Sequence, residues 1–225
     1  HATDDLDDNI KRGEAAFRKA AEAGADVIAF AELAFTPFYP QKPAGGDVAR
    51  LAEPIPGPTL ERFSRLAREY GVVTVLNYFE RDGDKTYDSS PVIEADGSLL
   101  GVTRMVHVLD AEHFREKDYY AEGNNGFIYE TTIGKLGIAI CYDRHFPEYM
   151  RALGVGGADL VIIPQAGARG EWPEGLFEAE VSVAAFQNGY FCALCNRTGR
   201  EEKLVFEGKS FITSPRGRIV AQAGA

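Results

Sequence analysis

The chain has 225 residues, 45% apolar and 26% charged, with a formal net charge of -10. That length can bury one sizeable core, so residues 1–225 are expected to form one domain, and no apolar run approaches the roughly 18 residues of a membrane helix. The acidic balance without a basic stripe argues against a nucleic-acid partner, and the odd number of cysteines, 3, fits free thiols in a reducing compartment such as the cytoplasm.

In chain order, Ile10, Phe17, Ala20 and Ala21 recur on one face of a helix expected from Asp7 to Gly24. Val27-Ile28-Ala29-Phe30 follows as a continuous apolar run, the pattern of a strand covered on both sides, and delivers Glu32 at its exit. A second helix over Leu60–Tyr70, closed by Gly71, precedes a buried strand over Val72–Leu76. Asp82-Gly83 and Asp96-Gly97 are turn signals between strand-like stretches, so this region reads as hairpins. Leu136–Ile140 leads into a helix over Pro147–Leu153, and Ala158–Ile163 leads through a loop into a helix over Gly175–Gln187. Tyr190–Leu194 and Ser210–Ser214 close the chain as strands. Alternating helices and apolar strands with inserted hairpins define a layered α/β fold.

One segment stands out chemically. An apolar strand runs directly into Cys141, and a helix begins within a few residues. A thiolate is the reactive form of cysteine, and a helix N-terminus favours negative charge, so this placement is expected to lower the thiol pKa. The backbone N–H of Tyr142 would then face the carbonyl oxygen under attack. The same pattern also describes an inert cysteine packed at a strand end.

Three segments in order resemble the nitrilase superfamily of carbon-nitrogen hydrolases. Ala31-Glu32-Leu33 is similar to the stretch bearing the family's general-base Glu. Arg115–Gly123 resembles the stretch bearing its second Glu, here Glu116, and Cys141–Glu148 resembles its nucleophile segment. Cys195-Asn196-Arg197 and Gly208–Phe211 resemble its C-terminal strands, so the likeness covers nearly the whole chain. The family's first strand should precede His1, and the segment after its last strand is also not represented. The resemblance implies a four-layer α-β-β-α sandwich that stacks into a homodimer or higher homo-oligomer, with no cofactor. It further implies that Cys141 attacks an amide or carbamoyl carbon, Glu32 moves the proton and Glu116 supports both.

The family's third catalytic group is a Lys, and Met105 occupies its position in Thr103-Arg104-Met105-Val106-His107. A thioether neither donates to an oxyanion nor carries charge. Losing one oxyanion donor costs about 2.7 to 4 kcal/mol of transition-state stabilisation, so two readings stay open. One is a hydrolase with altered oxyanion stabilisation; the other is a weakened relative that binds ligands. By strand alternation His107 shares the face of Met105, as a substitute donor or a structural group, and Arg104 faces away.

The resemblance places Gln165, Ala166, Trp172, Glu174 and Glu178 around a small-molecule substrate, with Tyr39 as a further lining residue. Relatives acting on carbamoyl amino acids carry Arg near Glu178, and the acids here instead suggest a neutral or amine-bearing substrate. They equally fit the ordinary charge preference of a helix start. Cys192 and Cys195 are spaced C-x-x-C, but within a strand they leave opposite faces, and the histidines supply no zinc-ligand pattern. No metal is implied.

Overall fold

Helix α1 (Leu6–Glu22) begins where the Asp5 side chain accepts the Asp8 N–H at 3.0 Å, and it buries Ile10 and Phe17. Helix α2 (Pro58–Tyr70) starts on proline and ends at Gly71, whose φ of 66° is a left-handed cap that glycine adopts without a Cβ penalty. Both helices cover the first sheet, formed by β1 (Val27–Ala29), β2 (Val73–Val75), β3 (Tyr78–Asp82), β4 (Lys85–Ile93) and β5 (Leu99–Arg104). Its order is β1-β2-β4-β3, with β5 also on β4 and only β1-β2 parallel. A short hairpin of β6 (Asp110–Ala111) and β7 (Phe114–Arg115) follows.

The second sheet contains β8 (Ile128–Thr131), β9 (Gly134–Ile138), β10 (Leu160–Gln165) and β11 (Phe191–Asn196). A hairpin of β12 (Thr198–Arg200) and β13 (Val205–Glu207) precedes its last two strands, β14 (Phe211–Thr213) and β15 (Ile219–Gln222). Their order is β15-β14-β11-β10-β9-β8, with the β9-β10 and β10-β11 pairs parallel. Helices α3 (Pro147–Val155) and α4 (Leu176–Asn188) cover its outer face. The computed structural model describes residues 2–124 and 126–225, so the reading placed on His1 lies outside the described residues.

The layering explains the continuous apolar strands. On β10, Val161 and Ile163 pack toward α3 and α4, while Ile162 packs inward with Val73, Val75, Val92 and Ile138. Central strands such as β2 and β10 therefore bury both faces, and the result is the four-layer α-β-β-α sandwich. Cys192 and Cys195 fall on opposite faces of β11, one against the helices and one toward the sheet interface.

The strand expected to run through His107 stops at Arg104. Val106 and His107 donate their N–H groups to the buried Asp143 carboxylate instead of continuing the ladder. Alternation therefore does not put His107 beside Met105: its ring bonds Asp143 at 2.8 Å and stacks on Phe146 at 3.6 Å between centroids. Arg104 does point away, pairing with Glu80 and with Asp82 at 2.7 Å.

Candidate active site

Two tight turns position Glu32 and Cys141. After β1 the chain turns through Glu32 and Leu33, with Leu33 at φ 44°, a conformation uncommon for a non-glycine residue. That turn is over-determined from outside: Leu33 N–H donates to Asn77 Oδ1 at 2.7 Å, and Arg197 donates to the carbonyls of Glu32, Leu33 and Thr36. After β9, Cys141 opens a 3-10 turn (Cys141–His145), also at φ 44°. Its first internal bond runs from Asp143 N–H to Ile140 carbonyl at 2.9 Å, so the Tyr142 N–H precedes the ladder. Arg144 ties the turn to β10, donating to the Cys141 carbonyl at 2.8 Å and to Gln165 Oε1 at 2.6 Å. Backbone held in such sparsely populated regions persists where surrounding contacts over-determine it.

These turns bring Glu32, Glu116 and Cys141 together. One ligand atom from each lies within 4.8 Å of the others, and all three residues are buried. Glu116 is fixed by accepting the Leu109 N–H at 2.8 Å on Oε2, while its Oε1 and both Glu32 oxygens have no partner. Buried oxygens without partners are costly, so a cluster of them marks a place meant to receive protons or a ligand. Burial, then the Glu116 charge, pushes the Glu32 carboxyl up to about 8. Burial drives Glu116 upward as well.

The thiol behaves differently from the sequence expectation. Burial and then Glu32 and Glu116 raise the Cys141 pKa well above its ordinary value, against a smaller lowering by Arg144. The reason is local: the α-helix starts only at Pro147, leaving a short turn at the sulfur, and desolvation outweighs it. Burial thus favours the neutral thiol at Cys141 and the neutral carboxyl at Glu32.

Met105 is 1% exposed and packs in the same inter-sheet cluster as Cys141. Gln165 and Ala166 are buried at the end of β10 beside the Cys141 turn. Trp172 sits with its ring 4.9 Å from that of His145 and donates to Glu171 at 3.0 Å. Glu174 and Glu178 line a surface cleft of about 240 Å³ with Trp172, Phe177, Glu207 and Lys209, and Cys141 is not among its lining residues. Glu178 also accepts from Gln222 at 3.2 Å. Tyr39 stacks on Tyr119 over a separate depression, again without Cys141.

Three residues at or near the cluster were not singled out from sequence: Asp88, Tyr120 and Arg197. Asp88 lies within hydrogen-bonding reach of Glu32, and the charges of Glu32, Glu116 and Cys141 all bear on the buried Tyr120 hydroxyl. A signal for Asp88 existed in the consecutive polar residues Asp88-Ser89-Ser90 inside a strand whose two faces are both covered. Arg197 is 165 residues from Glu32, and no local pattern announces that clamp.

Residues 2–225 match the carbon-nitrogen hydrolase family, and the chain belongs to it. Among its relatives, the N-carbamoylputrescine amidase of Solanum lycopersicum is 34% identical over 99% of this chain and 79% of its own length. The citrullinase of Francisella tularensis is 30% identical over 96% of this chain and 79% of its own length. The crystal structure of a carbon-nitrogen hydrolase from Helicobacter pylori G27 superposes with a TM-score of 0.91 at 27% identity, covering 97% of this chain and 81% of that one. The nitrilase-superfamily resemblance and the sandwich fold hold. No described helix is long and apolar enough to cross a membrane.

Proposed function

We propose that the protein hydrolyses a linear amide or carbamoyl compound with Cys141 as nucleophile, Glu32 as its base and Glu116 as the supporting acid. The observation that carries this is the meeting of the three groups within 4.8 Å, with three carboxylate oxygens left without partners. Glu32 takes the thiol proton as sulfur attacks the carbonyl carbon, and the Tyr142 N–H faces the oxyanion. The same proton passes from Glu32 to the departing nitrogen, which leaves as ammonia or an amine. Glu32 then accepts a proton from water attacking the acyl-enzyme, and the returning thiol closes the cycle.

The substrate class is a neutral or amine-bearing carbamoyl compound. The acidic Glu171, whose charge bears on Cys141, supports it, as does the likeness to an N-carbamoylputrescine amidase. Ammonia release from N-carbamoyl amines should exceed that from N-carbamoyl amino acids and vanish in Cys141→Ala; the opposite preference refutes the substrate class.

Met105 favours a second reading, a ligand-binding relative with weakened chemistry. Hydroxamate formation from an amide panel and hydroxylamine separates the two: activity in the native protein supports the enzyme, while activity only after Met105→Lys supports the weakened form. A cytoplasmic homodimer completes the reading. Val155, Val183 and Phe186, exposed at 72%, 52% and 67% on α3 and α4, support a face on which two sandwiches stack. Sedimentation of Phe186→Asp as a monomer, with the parent a dimer, is the expected result.

A further inference from the structure

The buried cluster holds more acid than its cations can balance. Asp88 reaches it from the centre of β4 and is fully buried. One carboxylate oxygen accepts from Asn77 Nδ2 at 2.6 Å, and the other, Oδ2, has no partner. Asp88 adds a third carboxyl to Glu32 and Glu116, and a fourth, Asp143, is already hydrogen-bonded to His107 at 2.8 Å. The groups facing Asp88 and its neighbour Glu32 are accounted for element by element. Asn77 and Ser90 come from the first sheet, Glu116 and Tyr120 from the segment after β7, and Cys141 and Asp143 from the turn after β9. The nearest cations are Arg197, paired with Glu201, and Arg144, paired with Glu180 at 3.1 Å. Position 105, the group on the adjoining backbone, is an uncharged thioether whose N–H donates to the Asp88 carbonyl at 2.9 Å.

Three carboxyl groups buried together without a dedicated cation cannot all ionise, so protons must be held there. We propose that Asp88 is a positioning residue kept as a neutral carboxylic acid, whose Oδ2 proton is donated in a hydrogen bond to Glu32. A neutral donor on β4 thereby holds Glu32 in place and favours its ionised form, in a site that has no ammonium at position 105. The direction of the Asp88 pKa, raised by burial first and the Glu32 charge second, agrees with the geometry. The inference rests on Glu32 serving Cys141 as base, and its test is built to separate the two.

The infrared spectrum of the intact protein at pH 7, with that of Asp88→Asn subtracted, reads the protonated carboxyl directly. A carboxylic-acid carbonyl band that disappears in Asp88→Asn is expected, and a spectrum in which that band is unchanged by the substitution overturns the proposal. The pH profile of Cys141 alkylation by iodoacetamide supplies a second readout. Asp88→Asn keeps a donor opposite Glu32, so the acid limb should stay within about half a pH unit. Asp88→Leu removes the donor, and with a hydrogen bond to a charged group lost, the rate below the limb should fall about 10- to 150-fold as the limb moves upward. A downward move of more than about one unit in Asp88→Asn would mean that an ionised charge had been removed, and overturns the proposal. So does stoichiometric zinc or manganese in the purified protein that is lost in Asp88→Asn, because a bound cation would then balance the acids. Alkylation insensitive to Glu32→Gln sinks the base role instead, while the infrared band still decides the state of Asp88.

Discussion

Glu32→Gln should abolish acyl transfer and yet stabilise the protein, increasingly so at alkaline pH. Glu32 is fully buried and its carboxyl is pushed from the ordinary 4.5 to about 8, mainly by desolvation. Above pH 4.5 the unfolded chain releases this proton while the folded chain keeps it, so stability declines as pH climbs toward 8 and levels off beyond it. At about 1.4 kcal/mol per pH unit the cost is about 1 kcal/mol at pH 5, about 3 at pH 7 and up to about 5 at pH 9. Glutamine keeps the shape without the charge, and its amide can donate to Asp88 or Glu116. Urea denaturation followed by circular dichroism at pH 5, 7 and 9 measures the difference between variant and parent. A gap widening toward alkaline pH is expected, with a melting temperature higher by roughly 10 to 20 °C at pH 9. A difference that stays flat with pH, or a parent more stable than the variant at pH 9, would refute the desolvated-carboxyl argument.

The Arg197 clamp and the Asp143 anchor make independent predictions. Arg197→Ala strips the Glu32 turn of its bonds to three carbonyls and leaves Glu201 without its cation, held only by Phe38 N–H and Gln41, so a loss of about 3 to 5 kcal/mol is expected in urea denaturation, with slower Cys141 alkylation. Asp143→Ala deprives the N–H groups of Val106, His107 and Ile140 of their acceptor, for about 3 kcal/mol, and Asp143→Asn should recover part of it. Met105→Lys places an ammonium beside Cys141 and should move the acid limb of alkylation down by more than about one unit, since a nearby cation favours ionised Glu32. An unmoved limb would mean that the introduced side chain points out of the cluster.

The chemistry of Cys141 divides between its backbone and its surroundings. Its place at the exit of an apolar strand was readable from the run Leu136–Ile140, because a strand buried on both faces has a characteristic composition. The direction of its pKa was not readable, because desolvation depends on what closes over the sulfur, and that cover comes from Glu116, Glu32 and the inter-sheet core. His107 shows the same limit. Alternation assumes that a strand continues, whereas the carboxylate of Asp143 captures two N–H groups and ends it.

Sequence by itself determined the alternation of helices and doubly covered strands, the Asp-Gly hairpin turns and the order in which Glu32, Glu116 and Cys141 occur. These are local matters of periodicity, turn chemistry and residue type. Tertiary structure alone decided that the three meet in one buried cluster, that Asp88 comes within reach of Glu32, and that Glu174 and Glu178 line a separate cleft. Proximity between residues far apart in the chain comes from the packing of two sheets face to face, and the charge state of a carboxyl depends on the water that this packing removes.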